Sequence, residues 1–140
     1  MRFEIRPHEG VGPVRFGMTR EEVRAALALP VESFRKSPAD EMLTDAFDAA
    51  GLHVYYKKPG LCEAVEMAAP AEPVLEGREL LGRPFGESRR WFESQDESAE
   101  ADESGLTSFG YGVGLYAPEA ESNPAAPPEG VIVFEKGYYG

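Results

Sequence analysis

The feature that most constrains this chain is a short, well-bounded helix signal followed by runs of strand-forming residues. Residues 17–30 read Gly-Met-Thr-Arg-Glu-Glu-Val-Arg-Ala-Ala-Leu-Ala-Leu-Pro. Thr19 and Glu22 have the Thr-x-x-Glu spacing of a capping box, in which each side chain satisfies a backbone N–H of the other residue. Glu21 and Glu22 sit in the first turn, where the helix dipole favours anions. Val23, Ala26 and Leu27 form one apolar stripe at i, i+3 and i+4, and Pro30 stops the helix. A helix of about three turns is too short to persist alone in water, so its stripe requires a partner surface. The segments that follow supply one. Residues 43–49, 52–56 and 61–68 are strand-like: 52–56 is rich in β-branched and aromatic residues, 61–68 alternates, and Lys58-Pro59-Gly60 between them is a turn. Shorter strands are expected at 3–5 and 14–16.

Residues 69–73, Ala-Pro-Ala-Glu-Pro, read as a linker, and after them the pattern restarts. At an offset of 65, Phe16-Gly17 maps to Leu81-Gly82, Glu22 to Glu87, Arg24 to Arg89 and Leu27 to Phe92. A second helix is expected from about Pro84, carrying Phe85, Trp91 and Phe92. Strands are expected at 106–109, 111–116 and 131–134, and Gly51-Leu52-His53-Val54-Tyr55 echoes Gly112-Val113-Gly114-Leu115-Tyr116. This predicts one domain made of two similar halves, 1–72 and 73–140, each a helix and three strands, the signature of an internal duplication. The expected fold is α+β: two α-β-β-β units forming one antiparallel sheet with both helices on one face. The expected core is Val23, Leu27, Leu52, Val54, Val65, Trp91, Phe92, Tyr111, Val113 and Val133. Residues 117–130, with four prolines, read as a disordered loop.

The helix start also carries a resemblance. Gly17, Met18, Thr19 and Val23 match the Gly-Met-Thr/Ser-x-x-x-Val opening of the repeat in the β-lactamase-inhibitory-protein-like superfamily, which includes small outer-membrane lipoproteins of the barrel-assembly machinery. The resemblance covers about a third of the chain directly and the second half by pattern. It implies helices packed on one face of an antiparallel sheet whose other face or edge grips a protein partner, and it brings no catalytic residues. The chain departs from the lipoproteins in having no lipid-bearing Cys near its start, and from the secreted inhibitors in lacking their cysteine pairs.

Charge and cysteine content narrow the function. Fourteen Lys and Arg against 25 Asp and Glu give a net charge of −11. That balance opposes nucleic-acid binding, which needs a basic footprint, and it opposes an anionic membrane surface. One Cys excludes an internal disulfide framework and a multi-Cys zinc site. The opening residues have no apolar stretch and no cleavage site, and no run approaches a membrane span, so the expected location is the cytoplasm.

No residue set points to a reaction. His8 lies in a Pro-His-Glu-Gly turn. His53 shares a strand face with Tyr55, but nothing in the pattern offers it a nucleophile or acid partner. Cys62 has Glu63 beside it rather than an activating His and reads as inert. Gly110-Tyr111-Gly112-Val113-Gly114 lacks the strand–loop–helix context of a phosphate loop. As a strand it would put its three glycines on one face, either under a closely packed helix or as an open surface for a partner. Residues 96–103 resemble a calcium loop in charge only, with Ala101 where the turn glycine is needed. They read as a solvated acidic loop suited to a basic partner, and Tyr138 and Tyr139 as cover for a sheet edge. The expectation is therefore a non-enzymatic, acidic protein-binding module, an inhibitor or immunity-type protein for a basic protein, binding through His53, Tyr55, Gly112, Gly114, Tyr116, Asp96 and Glu97, with no cofactor, no metal, no nucleic acid and no membrane. The alternative is a small-ligand sensor or enzyme with its site between the halves.

Overall fold

Thr19 opens helix α1 (Arg20–Leu27) as the capping box requires. Its hydroxyl accepts the Glu22 N–H at 3.2 Å, and Glu22 accepts the Thr19 N–H at 2.9 Å. The helix closes when the Ala28 N–H bonds the Arg24 carbonyl, with Ala28 in the left-handed region at φ 51°, before Pro30 is reached. Val23 and Leu27 form its buried stripe. In this computed structural model, which describes residues 1–139, the chain is α+β, with a second helix α2 (Phe85–Gln95) and two sheets.

The strands, in chain order, are β1 (Arg2–Arg6), β2 (Gly10–Val11), β3 (Val14–Arg15), β4 (Glu32–Phe34), β5 (Thr44–Phe47), β6 (Leu52–Lys57), β7 (Leu61–Met67), β8 (Glu72–Leu75), β9 (Arg78–Glu79), β10 (Glu100–Asp102), β11 (Gly105–Ser108), β12 (Val113–Tyr116) and β13 (Gly130–Phe134). The larger sheet has eight strands in the order β10-β11-β12-β13-β7-β6-β5-β4, antiparallel throughout. The meander β4–β7 and the meander β10–β13 meet at their last strands, where Val131 pairs with Met67 and Val133 with Val65.

The expectation of a single sheet is corrected. A second, five-stranded sheet runs β3-β2-β1-β8-β9, with β1 and β8 parallel, Phe3 opposite Pro73. The segment read as a linker from its prolines thus contributes β8, because Ala71, Val74 and Leu75 are buried and β1 offers a free edge for it. Pro73 is tolerated there because Glu72 donates to the Met1 carbonyl on the β1 side, so the next nitrogen, that of Pro73, points away from β1, where β9 pairs only with Val74 and Leu75. Each meander also gains a short outer strand, β4 or β10, beyond the three expected.

One face of the eight-stranded sheet carries the core. Val54, Val65, Val113 and Val133 lie in one cluster with Val23 and Leu27 of α1 and Phe85 and Phe92 of α2. A bulge opposite Tyr55 and Tyr56 puts Cys62 and Val65, three apart in sequence, on this same side. Of the expected core, Trp91 and Tyr111 are only half-buried; they pack on each other at 5.4 Å between ring centroids, at the margin of the cluster.

The loop expected to be disordered is ordered, and α2 explains why. Pro84 at its N-cap makes no side-chain cap, so the first N–H groups need other acceptors. The loop provides them: Phe85 N–H bonds the Ala126 carbonyl at 2.9 Å, and Gly86 N–H the Pro124 carbonyl at 3.0 Å.

Candidate functional site

Strand pairing sets out the opposite face of the large sheet in rows. One row runs His53, Glu66, Ile132, Gly114 and Thr107 across β6, β7, β13, β12 and β11. A neighbouring row holds Tyr55, Ala64 and Phe134. A third holds Gly130, Tyr116, Gly105 and Asp102. Among the described residues, α1 and α2 pack on the core side and no helix covers this one. Its second row is sealed instead by the tail of the chain: Tyr138 stacks on Phe134 at 5.5 Å, and Tyr139 meets the same ring edge-on at 5.0 Å.

Two adjoining concavities lie on either side of Glu66 on this face. The smaller, about 180 Å³, is lined by residues that include Glu66, Asp102, Gly114, Ile132 and Tyr139. The larger, about 390 Å³, is lined by residues that include Asp48, His53, Ala68 and Glu129. Glu66, Tyr116 and Gly130 line both, so the two make one groove that crosses the β7–β13 seam. Four carboxylates line it, and no Lys or Arg does. Among the described residues, Glu66, Asp102 and Glu129 take part in no ion pair. Tyr55 donates its hydroxyl to Glu66 Oε1 at 2.6 Å, which fixes the carboxylate at the centre of the groove.

The residues expected to bind a partner are dispersed. His53, Tyr116 and Gly114 line the groove. Tyr116 is 54% exposed, whereas Gly114 is buried under Ile132. Tyr55 is on the same face but 8% exposed, beneath the tail and the Lys36 ammonium, which lies 4.5 Å from its ring centre. Gly112 is elsewhere. The stretch 109–112 is a turn rather than the start of a strand, and Gly112 sits in it at φ 68° against the Phe134 carbonyl and His8. The alternation of glycines therefore does not build a common face.

Asp96 is committed inside its own loop. It accepts the Ser98 N–H and hydroxyl, the Ser108 hydroxyl and the Gly110 N–H, all within 2.9 Å. Burial would raise its pKa, but these bonds outweigh burial and hold the carboxyl at about 2. Glu97 beside it is exposed.

His53 Nε2 is 3.7 Å from Asp48 Oδ1, beyond firm hydrogen-bond range, and the concavity it lines contains no Ser, Thr or Cys. Burial pushes the Cys62 thiol up to about 12, the direction that disfavours the thiolate, and the residue has no exposed surface. Among the described residues, no group of three His, Cys, Asp or Glu is placed to hold a metal, and no helix is long and apolar enough to cross a membrane.

The sequence reading missed Asp45. Its side chain is fully buried, yet accepts from Arg20 Nη1 at 2.5 Å, Arg24 Nη2 at 2.8 Å and Nε at 3.0 Å, the Ser33 hydroxyl at 2.7 Å and the Tyr56 hydroxyl at 3.0 Å. Burial opposes ionisation, but the bonds from Arg24, Ser33 and Tyr56 and the charge of Arg20 hold the carboxyl below its usual range. The available signal was Arg20 and Arg24, four apart on α1, facing the one charged residue of a buried strand. Every acceptor position is taken, so this cluster fastens α1 to the sheet and has no capacity left for a ligand.

Compared with known protein families, curated proteins and solved structures, the chain matches none.

Proposed function

We propose that the protein is a non-enzymatic binding module that captures a basic protein on the open face of its large sheet. The observation that carries this reading is the groove lined by four carboxylates and by neither Lys nor Arg, on a chain of net charge −11. Complementary charge of this kind steers association and selects against like-charged partners. In its concrete form the protein is an inhibitor or immunity-type protein that neutralises a basic target in the cytoplasm. The proposal extends to the fold. Helix α1 with β4–β7 and helix α2 with β10–β13 are two copies of one unit of the β-lactamase-inhibitory-protein-like kind, a reading supported by their common element order and by the Gly17–Val23 helix start.

The test is capture from native lysate on immobilised protein. The expected result is a basic protein retained at low salt, released as rising ionic strength shortens the Debye length from about 10 Å to about 3 Å, and retained about tenfold more weakly by Glu66→Gln. An acidic partner, or retention indifferent to both salt and Glu66→Gln, overturns the reading. One observation favours the alternative, a small-ligand sensor or enzyme with its site between the halves: the groove lies across the β7–β13 seam, where such a site would be. That alternative predicts thermal stabilisation by a metabolite and no captured protein.

A further inference from the structure

Gly130 is a glycine without an internal reason. At several other positions in the sheet the backbone or the packing demands one. Gly105 has φ 152° and the Leu115 carbonyl oxygen 1.8 Å from where a Cβ would stand, and a Cβ on Gly114 would lie 2.9 Å from Ile132. At Gly130 an added Cβ would meet the Met67 carbonyl oxygen at 3.6 Å and Tyr116 Cβ at 4.0 Å, ordinary contacts, and φ is not in the positive region. A glycine in a strand sacrifices stability and side-chain packing. Here its effect is to leave bare the floor shared by both concavities. Tyr116, its cross-strand partner, does not fold over the gap, since it stays 54% exposed.

The surroundings specify what such a slot suits. The floor is flat peptide, one wall is the Tyr116 ring, and Glu66 stands at the centre with Oε1 tied by Tyr55 and Oε2 free of any partner among the described residues. Planar groups stack on rings and peptide planes, and a guanidinium adds donors that match a carboxylate. An ammonium group is compact and strongly hydrated and gains less from a flat slot.

We infer that the groove over Gly130 receives an arginine side chain of the basic partner, stacked against Tyr116 and paired with Glu66. The inference rests on the proposed capture of a basic protein and narrows it to one residue type and one subsite. Tyr55 is a positioning residue that holds Glu66 in place. Asp102, Asp48 and Glu129 add attraction along the groove without forming the slot.

The test uses the full chain with hexa-arginine and hexalysine peptides at low salt, followed by calorimetry and by amide shifts in NMR spectra. Hexa-arginine is expected to bind several-fold more tightly than hexalysine and to shift the amides of Gly130, Tyr116 and Glu66. Glu66→Gln, which keeps an acceptor for Tyr55, weakens it about tenfold, the loss of one charged hydrogen bond. Tyr116→Ala weakens it several-fold. Gly130→Val fills the slot and abolishes the preference for arginine while leaving the melting temperature unchanged or raised, because valine suits a strand. Hexa-arginine binding that is unaffected by these variants overturns the slot and leaves the basic-partner reading standing. Equal affinity for the two peptides overturns the assignment to arginine. No binding of either peptide by the wild-type chain removes the basic-partner reading and the slot together.

Discussion

Replacing Asp45 by Asn tests the strongest electrostatic claim about the fold. The carboxylate is fully buried and accepts five hydrogen bonds, three of them from two guanidiniums. Asn keeps the shape but turns one oxygen into an amino group. In either orientation that group faces donors: Arg24 and Tyr56 on one side, Arg20, Arg24 and Ser33 on the other. Removing one partner of a buried ion pair costs about 3–5 kcal/mol. Arg20 and Arg24 are 19% and 39% exposed and can recover part of their hydration, so the lower end applies, about 3 kcal/mol. With an unfolding entropy near 2.1 cal/mol/K per residue, the 140 residues give about 0.3 kcal/mol/K, so the melting temperature should fall by about 10 °C. Calorimetry at neutral pH measures it. Glu41→Gln, which breaks the exposed pair with Lys58, is the control and should leave the melting temperature unchanged. The pH dependence supplies a second check. A carboxyl held below its usual range contributes stability above the unfolded value of about 4, lost as pH falls through the folded value, so wild type and variant should converge in acid. A fall of less than about 3 °C, or a gap that persists unchanged in acid, would refute the account of Asp45 as the tie between α1 and the sheet.

Asp96→Ala should destabilise the protein by about 1–2 kcal/mol through lost loop hydrogen bonds. With the folded carboxyl at about 2 and the unfolded one near 4, that contribution is present above pH 4 and disappears between about 4 and 2, as acid titrations of the two proteins followed by circular dichroism would reveal. Cys62 should resist a thiol reagent at pH 8 in the folded protein and react at once in denaturant, given a thiol pushed up to about 12 and no exposed surface; rapid labelling of the native chain would contradict the packing around it. Gly112→Ala should lower the melting temperature, since φ 68° disfavours a side chain and the Phe134 carbonyl oxygen lies 2.8 Å from the new Cβ, whereas the same change at Gly77, also at positive φ but with nothing within 4 Å, should be milder.

Local signals in the chain were legible because neighbours in sequence settle them. The capping box at Thr19 and Glu22, the turn before Leu61 and the valines of β6 and β13 need no distant residue to be recognised. What stayed hidden depends on partners far away. The β8 strand forms only because β1, some 70 residues earlier, offers an edge. The loop 117–130 is ordered because Pro84 leaves α2 uncapped. Phe92 lies in the core while Trp91 sits at its margin under Arg78, 5.1 Å away, a difference of one helical position that apolar content cannot resolve. Strand parity misled twice, at the bulge between Cys62 and Val65 and at the turn 109–112, where a glycine alternation looked like a strand. Of the site, His53 and Tyr116 could be read from alternation. Glu66 could not, because its importance comes from facing Tyr55 and the bare floor beside it.

An outward sheet face with polar residues is what any antiparallel sheet shows to water, so polarity alone does not argue for a partner. The comparison that matters is within the same molecule. At the far end of β6, Lys57 pairs with Glu135 at 2.5 Å, so that both signs meet and cancel. Nearby, aromatic rings close over Phe134. Around Glu66 neither happens. The Lys36 ammonium reaches Glu66 only through the Tyr55 hydroxyl, to which it donates at 3.4 Å, and makes no ion pair with it; the tyrosine at the rim stays exposed, and the floor has a glycine where the backbone would accept a side chain. Solvation would be served as well by a direct ion pair to Glu66 and an alanine at Gly130. A carboxylate left without a direct ion pair beside a bare floor is the reason to read this groove as a surface shaped for contact.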